Sequence, residues 1–182
     1  MKQAVVFPPE AVWHALTHFE ALDAAVRQEL VDAGFDDGQV DAQLRLPGSK
    51  FFASFVTSPQ AVVARLEAWF PERFDRMLPD ADGRIRLSFE CSQPVGSQSV
   101  VDEQELTCEE RQTIRREWRN GCPVRTVCMN RVMPTCMCQL ILAPGCDGVY
   151  FCTVFPGELA PPLPRSEKEA PDPYWQTHLF VR

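Results

Sequence analysis

The sequence predicts an α+β protein in which N-terminal helices pack on a four- to five-stranded, mostly antiparallel sheet. Three observations support this class. Apolar residues recur at steps of three and four in the first third of the chain, and they alternate with polar residues in several later segments. The strand-like segments near the C-terminus follow one another through short connections, as antiparallel neighbours do. Helices first and strands last favour α+β over an alternating parallel architecture.

The chain length predicts one domain. A chain of 182 residues is long enough to bury a sizeable core. We expect residues 1–182 to form a single domain, with residues 1–80 mainly helical and residues 81–182 forming a helix and the antiparallel sheet.

The first half of the chain contains two predicted helices and one strand. An apolar stripe predicts a helix over residues 9–30, and the Asp- and Gly-containing stretch at 35–44 is interpreted as a turn. "KFFASFVTS" (residues 50–58) predicts a strand. A second helix begins at Pro59 with Ser58 as its N-cap, and Pro71 ends or kinks it.

The second half contains one predicted helix among strands. Residues 85–90 alternate as a strand does, and Thr107 with Glu110 forms a capping box that opens a helix reaching Asn120, with Gly121 as its C-cap. Strands are then predicted at "PVRTVCMNRV", "CMCQLILA", "GVYFCTVF" and "WQTHLFV".

The charge is acidic overall, with one basic segment. The net charge is −7, which disfavours a protein that coats itself on nucleic acid or anionic membranes. Residues 108–131 contain six Arg and three Glu, so this segment carries +3 and the rest of the chain −10. Such a segment is either an anion-binding site or a set of partners for internal salt bridges.

The sequence contains no recognisable secretory signal and no apolar stretch long enough to span a bilayer, so we expect a cytoplasmic bacterial protein with no membrane association. Its oligomeric state is left open.

Eight cysteines lack any Cys-x-x-Cys spacing, so ordinary zinc-ribbon chemistry is not indicated. Two interpretations stay open. Cys136 and Cys138 share one face of a predicted strand and would form a zinc site with a third cysteine, or the thiols are small buried apolar groups. We expect no cofactor. His14 and His18, four residues apart, lack the glutamate of a zinc-protease motif and are interpreted as solvent-facing.

The strongest hint of chemistry combines the predicted arginine helix with the C-terminal strands. Arg111, Arg115 and Arg119 would share one helix face, and guanidinium groups bind phosphate bidentately. Alternation places Thr153 on the same strand face as Phe151 and Phe155, and a proline-rich loop between the last two strands would bring His178 next to it. Metal-independent RNA cleavage requires a base for the 2′-OH, an acid for the leaving oxygen and cations for the developing charge, which His178, a helix arginine and the Thr153 hydroxyl would supply.

Residues 94–119 and 149–178 support a resemblance. "PVGSQSVVDEQELTCEERQTIRREWRNG" and "TVFPGELAPPLP…PYWQTHLFV" resemble a group of uncharacterised bacterial proteins with a Thr-x-Phe-Pro-Gly turn, a Pro-Pro segment and a terminal Trp-x-x-His. The layout is also similar to the barnase/EndoU/colicin/RelE-like nuclease superfamily, which cuts RNA without metal. This resemblance implies Arg119 or Arg125 at the phosphate, Thr153 as the strand hydroxyl and His178 as acid or base.

Two functional hypotheses follow. The first is a toxin-like, metal-independent endoribonuclease with His178, Thr153 and Arg119 as catalytic residues and Arg111, Arg115 and Arg125 binding substrate. Its partners would be RNA and a protein inhibitor. The alternative is a non-catalytic interaction or regulatory protein that docks a partner through the proline-rich loop and the sheet face.

Overall fold

The computed structural model describes residues 4–119, 121–164, 166 and 168–182. Within these residues the chain forms seven α-helices and eleven strands in three sheets, so the predicted α+β class is confirmed. The helices are α1 (Pro9–Ala15), α2 (Ala24–Asp32), α3 (Asp37–Arg45), α4 (Pro59–Trp69), α5 (Pro71–Phe74), α6 (Cys108–Gln112) and α7 (Tyr174–Thr177), with 3-10 turns at Leu16–His18 and Glu103–Glu105.

The strands are β1 (Val5–Val6), β2 (Lys50–Phe51), β3 (Ile85–Glu90), β4 (Gly96–Ser97), β5 (Val100–Asp102), β6 (Arg115–Arg119), β7 (Cys122–Val127), β8 (Pro134–Thr135), β9 (Met137–Pro144), β10 (Val149–Pro156) and β11 (His178–Val181). The first sheet has the order β1-β10-β9-β3, the second β5-β11-β7-β6 and the third β2-β4-β8. Pairing is antiparallel except between β1 and β10 and between β11 and β7. The single predicted sheet is therefore divided into three.

The main core lies between the first sheet and the N-terminal helices. Leu140 and Phe151 on the central strands β9 and β10 are 0% and 1% exposed, and they belong to one apolar cluster with Leu66 of α4 and Ala15 of α1. A second cluster joins α1, α2 and α3, and a third lies against the second sheet around Leu179. Burial of this apolar surface is the main source of stability.

The predicted helix over residues 9–30 is interrupted. After the 3-10 turn, Phe19 adopts an extended conformation and pairs with Phe51, and α2 begins only after Asp23. The Asp23 carboxylate accepts hydrogen bonds from the backbone N–H groups of Ala25 (2.8 Å) and Val26 (3.4 Å), so it caps the new helix.

The stretch interpreted as a turn is in fact a helix. Asp36 and Gln39 form a capping box at the start of α3, and the apolar side chain of Val40 is buried against α1 and α2. The acidic first turn complements the helix dipole.

The predicted strand at 50–58 is shorter than expected, because only Lys50 and Phe51 pair. In contrast, α4 begins at Pro59 with the Ser58 hydroxyl accepting from the Ala61 N–H at 3.1 Å, as predicted.

The predicted arginine helix is wrong in its second half. The Thr107–Glu110 capping box is present, but α6 ends at Gln112 and β6 runs from Arg115 to Arg119. Gly121, at φ 80°, lies between β6 and β7 in a hairpin and does not cap a helix. Pairing with β7 outweighs the helix propensity of the arginines. Asn120, the predicted helix end, lies outside the described residues.

Candidate functional site

A cavity of about 560 Å³ lies where the three sheets meet the proline-rich segment. This size is typical of ligand-binding pockets. The first sheet contributes Thr153, Phe155 and Met137, and the second sheet contributes His178, Phe180 and Asp102. The remaining walls include His18, Ser49, Gln98, Ser99, Val100, Glu105, Thr135, Pro156, Gly157, Glu158, Leu159, Ala160 and Tyr174.

A β-bulge in β10 decides which side chains face the cavity. The register with β9 shifts between Phe151 and Thr153, so Cys152 has no partner on the neighbouring strand. Phe151 and Val154 are buried in the core, whereas Thr153 and Phe155 line the cavity. The prediction that Thr153 shares a face with Phe151 is therefore wrong, since the extra residue reverses the alternation.

His178 begins β11 and lines the cavity with Thr153. Its Nδ1 lies 2.9 Å from the carbonyl oxygen of Tyr174, so in the neutral ring Nδ1 donates and Nε2 remains as the acceptor. The Thr177 hydroxyl lies 2.9 Å from the same nitrogen. The imidazole also stacks on the Tyr174 ring, with centroids 3.6 Å apart. These contacts fix the orientation of the ring.

His18 is the second imidazole of the cavity. His14 is exposed as predicted, but His18 is half-buried and lines the cavity instead of facing solvent. Its Nδ1 lies 3.0 Å from the carbonyl oxygen of Ser49. Burial lowers the pKa of His18, and the nearby Lys50 ammonium lowers it further. His18 is therefore a neutral ring at physiological pH, with Nε2 as a hydrogen-bond acceptor.

The cavity is acidic. Three carboxylates line it, those of Asp102, Glu105 and Glu158, and no Lys or Arg is found among its described lining residues. Burial raises the pKa of the Tyr174 phenol, and the carboxylates of Glu158 and Asp102 raise it further. The hydroxyl of Tyr174 thus stays protonated, and its pKa registers the negative potential inside the cavity.

The proline-rich segment forms one wall of the cavity and also covers part of the second sheet. The Gln139 side chain donates to the Gly157 carbonyl at 3.0 Å, and the Trp175 indole N–H donates to the Pro161 carbonyl at 3.2 Å. Further on, the Cys122 thiol lies 2.7 Å from the Pro164 carbonyl. Prolines reduce the entropy lost when such a segment is ordered. Its described part is therefore hydrogen-bonded to the first and second sheets, and residues 156–160 of it line the cavity.

The predicted arginines do not line this cavity. Arg119 lies over the Phe180 ring, 4.3 Å from its centroid. Arg125 pairs with Glu103 at 2.6 Å and donates to the Gln176 carbonyl. Arg115 donates to two backbone carbonyls and Arg111 is exposed on α6, so the two lie on different elements and the predicted common helix face does not exist.

A second, smaller cleft of about 260 Å³ lies beside the cavity. His178 borders both spaces, and in this cleft it accompanies Arg116, Arg125 and Trp175, with Pro123, Val124, Leu163, Pro164 and Pro171 forming the other walls. His178 therefore lines one space together with Thr153 and the other together with Arg116 and Arg125.

All eight cysteines are free. Cys138 is buried in the main core, and burial raises the pKa of its thiol. Among the described residues, no group of three or more His, Cys, Asp or Glu side chains is arranged to hold a metal ion. Cys91, Cys122 and Cys138 are buried as small apolar residues are, whereas Cys136 is only partly buried. In the same residues, no helix has the length and apolarity to cross a membrane.

Sequence reasoning missed most of the cavity. Asp102 and Glu158 were unremarkable acidic residues in predicted loops, and Tyr174 is adjacent to a residue of the Trp-x-x-His motif without being part of it. The one available signal was the proline-rich segment itself, because Glu158 lies at its start.

Fold and site together define an α+β protein with an acidic, partly enclosed cavity containing two imidazoles and a phenol. No protein-family model matches the chain, and no curated protein sequence matches it.

Proposed function

We propose that this protein is a binding protein whose cavity receives a positively charged side chain, lysine or arginine, of a partner polypeptide. The observation that supports this proposal is that three carboxylates line the cavity. Among its described lining residues there is no Lys or Arg to neutralise them. Negative charges in a partly enclosed site concentrate cations and repel anions. The proposal develops the hypothesis of a non-catalytic protein that docks a partner, and it assigns the binding site to the cavity beside the proline-rich segment.

The uncharged groups of the cavity suit the same ligand. Both imidazoles have their Nδ1 directed at a backbone carbonyl, so each Nε2 is available to accept from an ammonium or guanidinium group. The rings of Tyr174 and Phe155 also line the cavity, and aromatic faces attract cations. Leu159 is 47% exposed at the proline-rich wall. An acidic interior beside an apolar wall fits a basic side chain flanked by apolar residues.

The test uses hexapeptide mixtures with a fixed central Lys, Arg, norleucine or Glu and random flanking residues, measured by fluorescence anisotropy. We expect the Lys and Arg mixtures to bind and the norleucine and Glu mixtures to bind at least about tenfold more weakly, since a charge-assisted hydrogen bond contributes about 1.5–3 kcal/mol. The Glu158→Gln, Asp102→Asn double variant should lose this preference.

Glu72→Gln is the matched control, because Glu72 is exposed on α5 and does not line the cavity. Spectroscopic titration of Tyr174 in a Tyr150→Phe background provides a check that the double variant is folded and has lost the charge. The pKa of Tyr174 should fall, because removing nearby negative charge favours the phenolate. Equal binding of the Lys and norleucine mixtures would refute the proposal.

A second candidate is the metal-independent endoribonuclease, which the position of His178 favours. Its Nε2 would accept the proton of the RNA 2′-OH as that oxygen attacks phosphorus, and the P–O5′ bond would break as the leaving 5′-oxygen takes a proton from solvent water. Arg125 and Arg116 line the same cleft as His178 and would neutralise the phosphate charge. Arg119 and Thr153 would then contribute from the neighbouring surfaces. We rank this candidate below the binding protein, because the carboxylates of the cavity repel an anionic substrate such as RNA.

The nuclease is tested with a fluorescent RNA oligonucleotide in EDTA. A nuclease should cleave it as wild type and as His14→Ala, whose imidazole is exposed on α1, and His178→Ala should be at least about 100-fold slower, the contribution of a general base. Absence of cleavage by the wild type, or full activity of His178→Ala, would eliminate this candidate.

A further inference from the structure

β6 is a free edge of the second sheet. In the described residues it pairs only with β7, at register Arg115↔Thr126 through Arg119↔Cys122, and no other strand lies on its outer side. The outward N–H and C=O groups of this edge therefore have no strand partner among those residues. Such a row of backbone groups is a template for an added strand.

An exposed tryptophan lies on this edge. Trp118 is 65% exposed, more than Trp69, the other large exposed aromatic side chain of the described chain, at 41%. Tryptophan is among the residues that most often dominate binding energy at protein interfaces. Its position next to unpaired backbone groups indicates a contact surface for another polypeptide.

The charge of the edge selects the partner. Glu117 is neutralised by Arg182, with Nη1 and Oε1 2.6 Å apart. For Arg115 and Arg116, no carboxylate of the described chain lies at ion-pair distance. The edge is therefore positive and complements an acidic segment.

A second copy of the chain is a poor occupant. Fully paired antiparallel association of two β6 strands would place Glu117 opposite its own copy and Arg115 opposite Arg119. Like charges directly opposite each other in a sheet are destabilising. Nucleic acid is also disfavoured, because the net charge of −7 repels a long polyanion and bases cannot satisfy a row of strand backbone groups.

We propose that β6 binds an extended acidic segment of a partner protein as an additional strand, with an apolar side chain of that segment packed on Trp118. Backbone hydrogen bonds would supply affinity and the arginines would select acidic side chains. This surface is separate from the cavity, so its outcome is independent of the proposed function.

The test uses a labelled nonapeptide that alternates Glu and Val, and the same peptide with Lys in place of Glu. We expect the Glu peptide to bind and Trp118→Ala to weaken it at least about tenfold, with Trp69→Ala as the matched control. Replacing both Arg115 and Arg116 with Glu should reverse the preference towards the Lys peptide. Because Trp118 and both arginines are exposed, these variants should fold.

Two N-methylated forms of the Glu peptide, methylated at alternate residues on one edge or the other, test strand addition directly. A strand pairs through one edge, so one form should lose binding and the other keep it. Equal binding of both forms, no effect of Trp118→Ala, no binding of either peptide, or tighter binding of decauridylate RNA would overturn the proposal.

Discussion

Replacing Leu140 with alanine is expected to lower the free energy of unfolding by about 3–5 kcal/mol. Leu140 is 0% exposed at the centre of the first sheet, where it pairs with Leu87 on β3 and Val154 on β10. Neighbours on both strands and helices above them prevent the site from collapsing, so the lost methyl groups leave a cavity.

Urea unfolding followed by far-UV circular dichroism, in reducing buffer, measures this effect. Leu78→Ala is the matched control because the same side chain is 80% exposed there, and it should change stability by no more than about 0.5 kcal/mol. Similar losses at both positions would show that the first sheet does not hold the main core.

Replacing Gly96 with alanine should cost about 1–3 kcal/mol or more, because the site has no room for a methyl group. Gly96 lies in β4, and its Cβ would meet the backbone carbonyl oxygen of Lys50 and stand 2.8 Å from the Cγ of Pro156. Neither neighbour is a flexible side-chain end, so the third sheet or the end of β10 must shift.

Gly48→Ala provides the comparison for the same substitution. Its Cβ would have only the Thr17 carbonyl oxygen nearby, at 3.8 Å, which is an ordinary contact. We expect the stability of this variant to stay within about 1 kcal/mol of wild type, since alanine also restricts the unfolded chain. If Gly96→Ala melts at the same temperature as Gly48→Ala, the close packing of β4 against β2 and Pro156 is incorrect.

Segments with one strong local signal were predicted well. The strands at 85–90 and 148–155 and the helix at Pro59 agree with the structure to within a residue or two. In the first strand and the helix, burial on one face imposes the period that the sequence displays. The helix α3 was missed because its Asp and Gly residues favour turns locally, and burial of Val40 outweighs that preference.

The arginine-rich segment shows the limit of local patterns. Its capping box predicted the start of α6 correctly, but the hairpin with β7 depends on residues beyond the segment. Glu110 of that box also pairs with Arg131 at 2.8 Å, which helps to hold the pKa of Glu110 at about 2. Periodicity alone does not reveal such long-range pairing.

The candidate site was only partly predictable for the same reason. His178 and Thr153 were predicted to lie together, and the structure brings both to one cavity. The carboxylates of Asp102 and Glu158 and the imidazole of His18 come from distant parts of the chain. Their meeting depends on how three sheets pack, which no single segment encodes.

The bulge at Cys152 divides β10 into two halves, and the odd-numbered residues of one half face the opposite side of the sheet from those of the other half. Odd-numbered positions face the core before it, as Phe151 does, and face the cavity after it, as Thr153 and Phe155 do. Substitutions at Thr153 or Phe155 can therefore change the side chains that line the cavity without altering the buried residues of the same strand. A single unpaired residue thus lets one strand supply the core and the binding surface as separately adjustable parts.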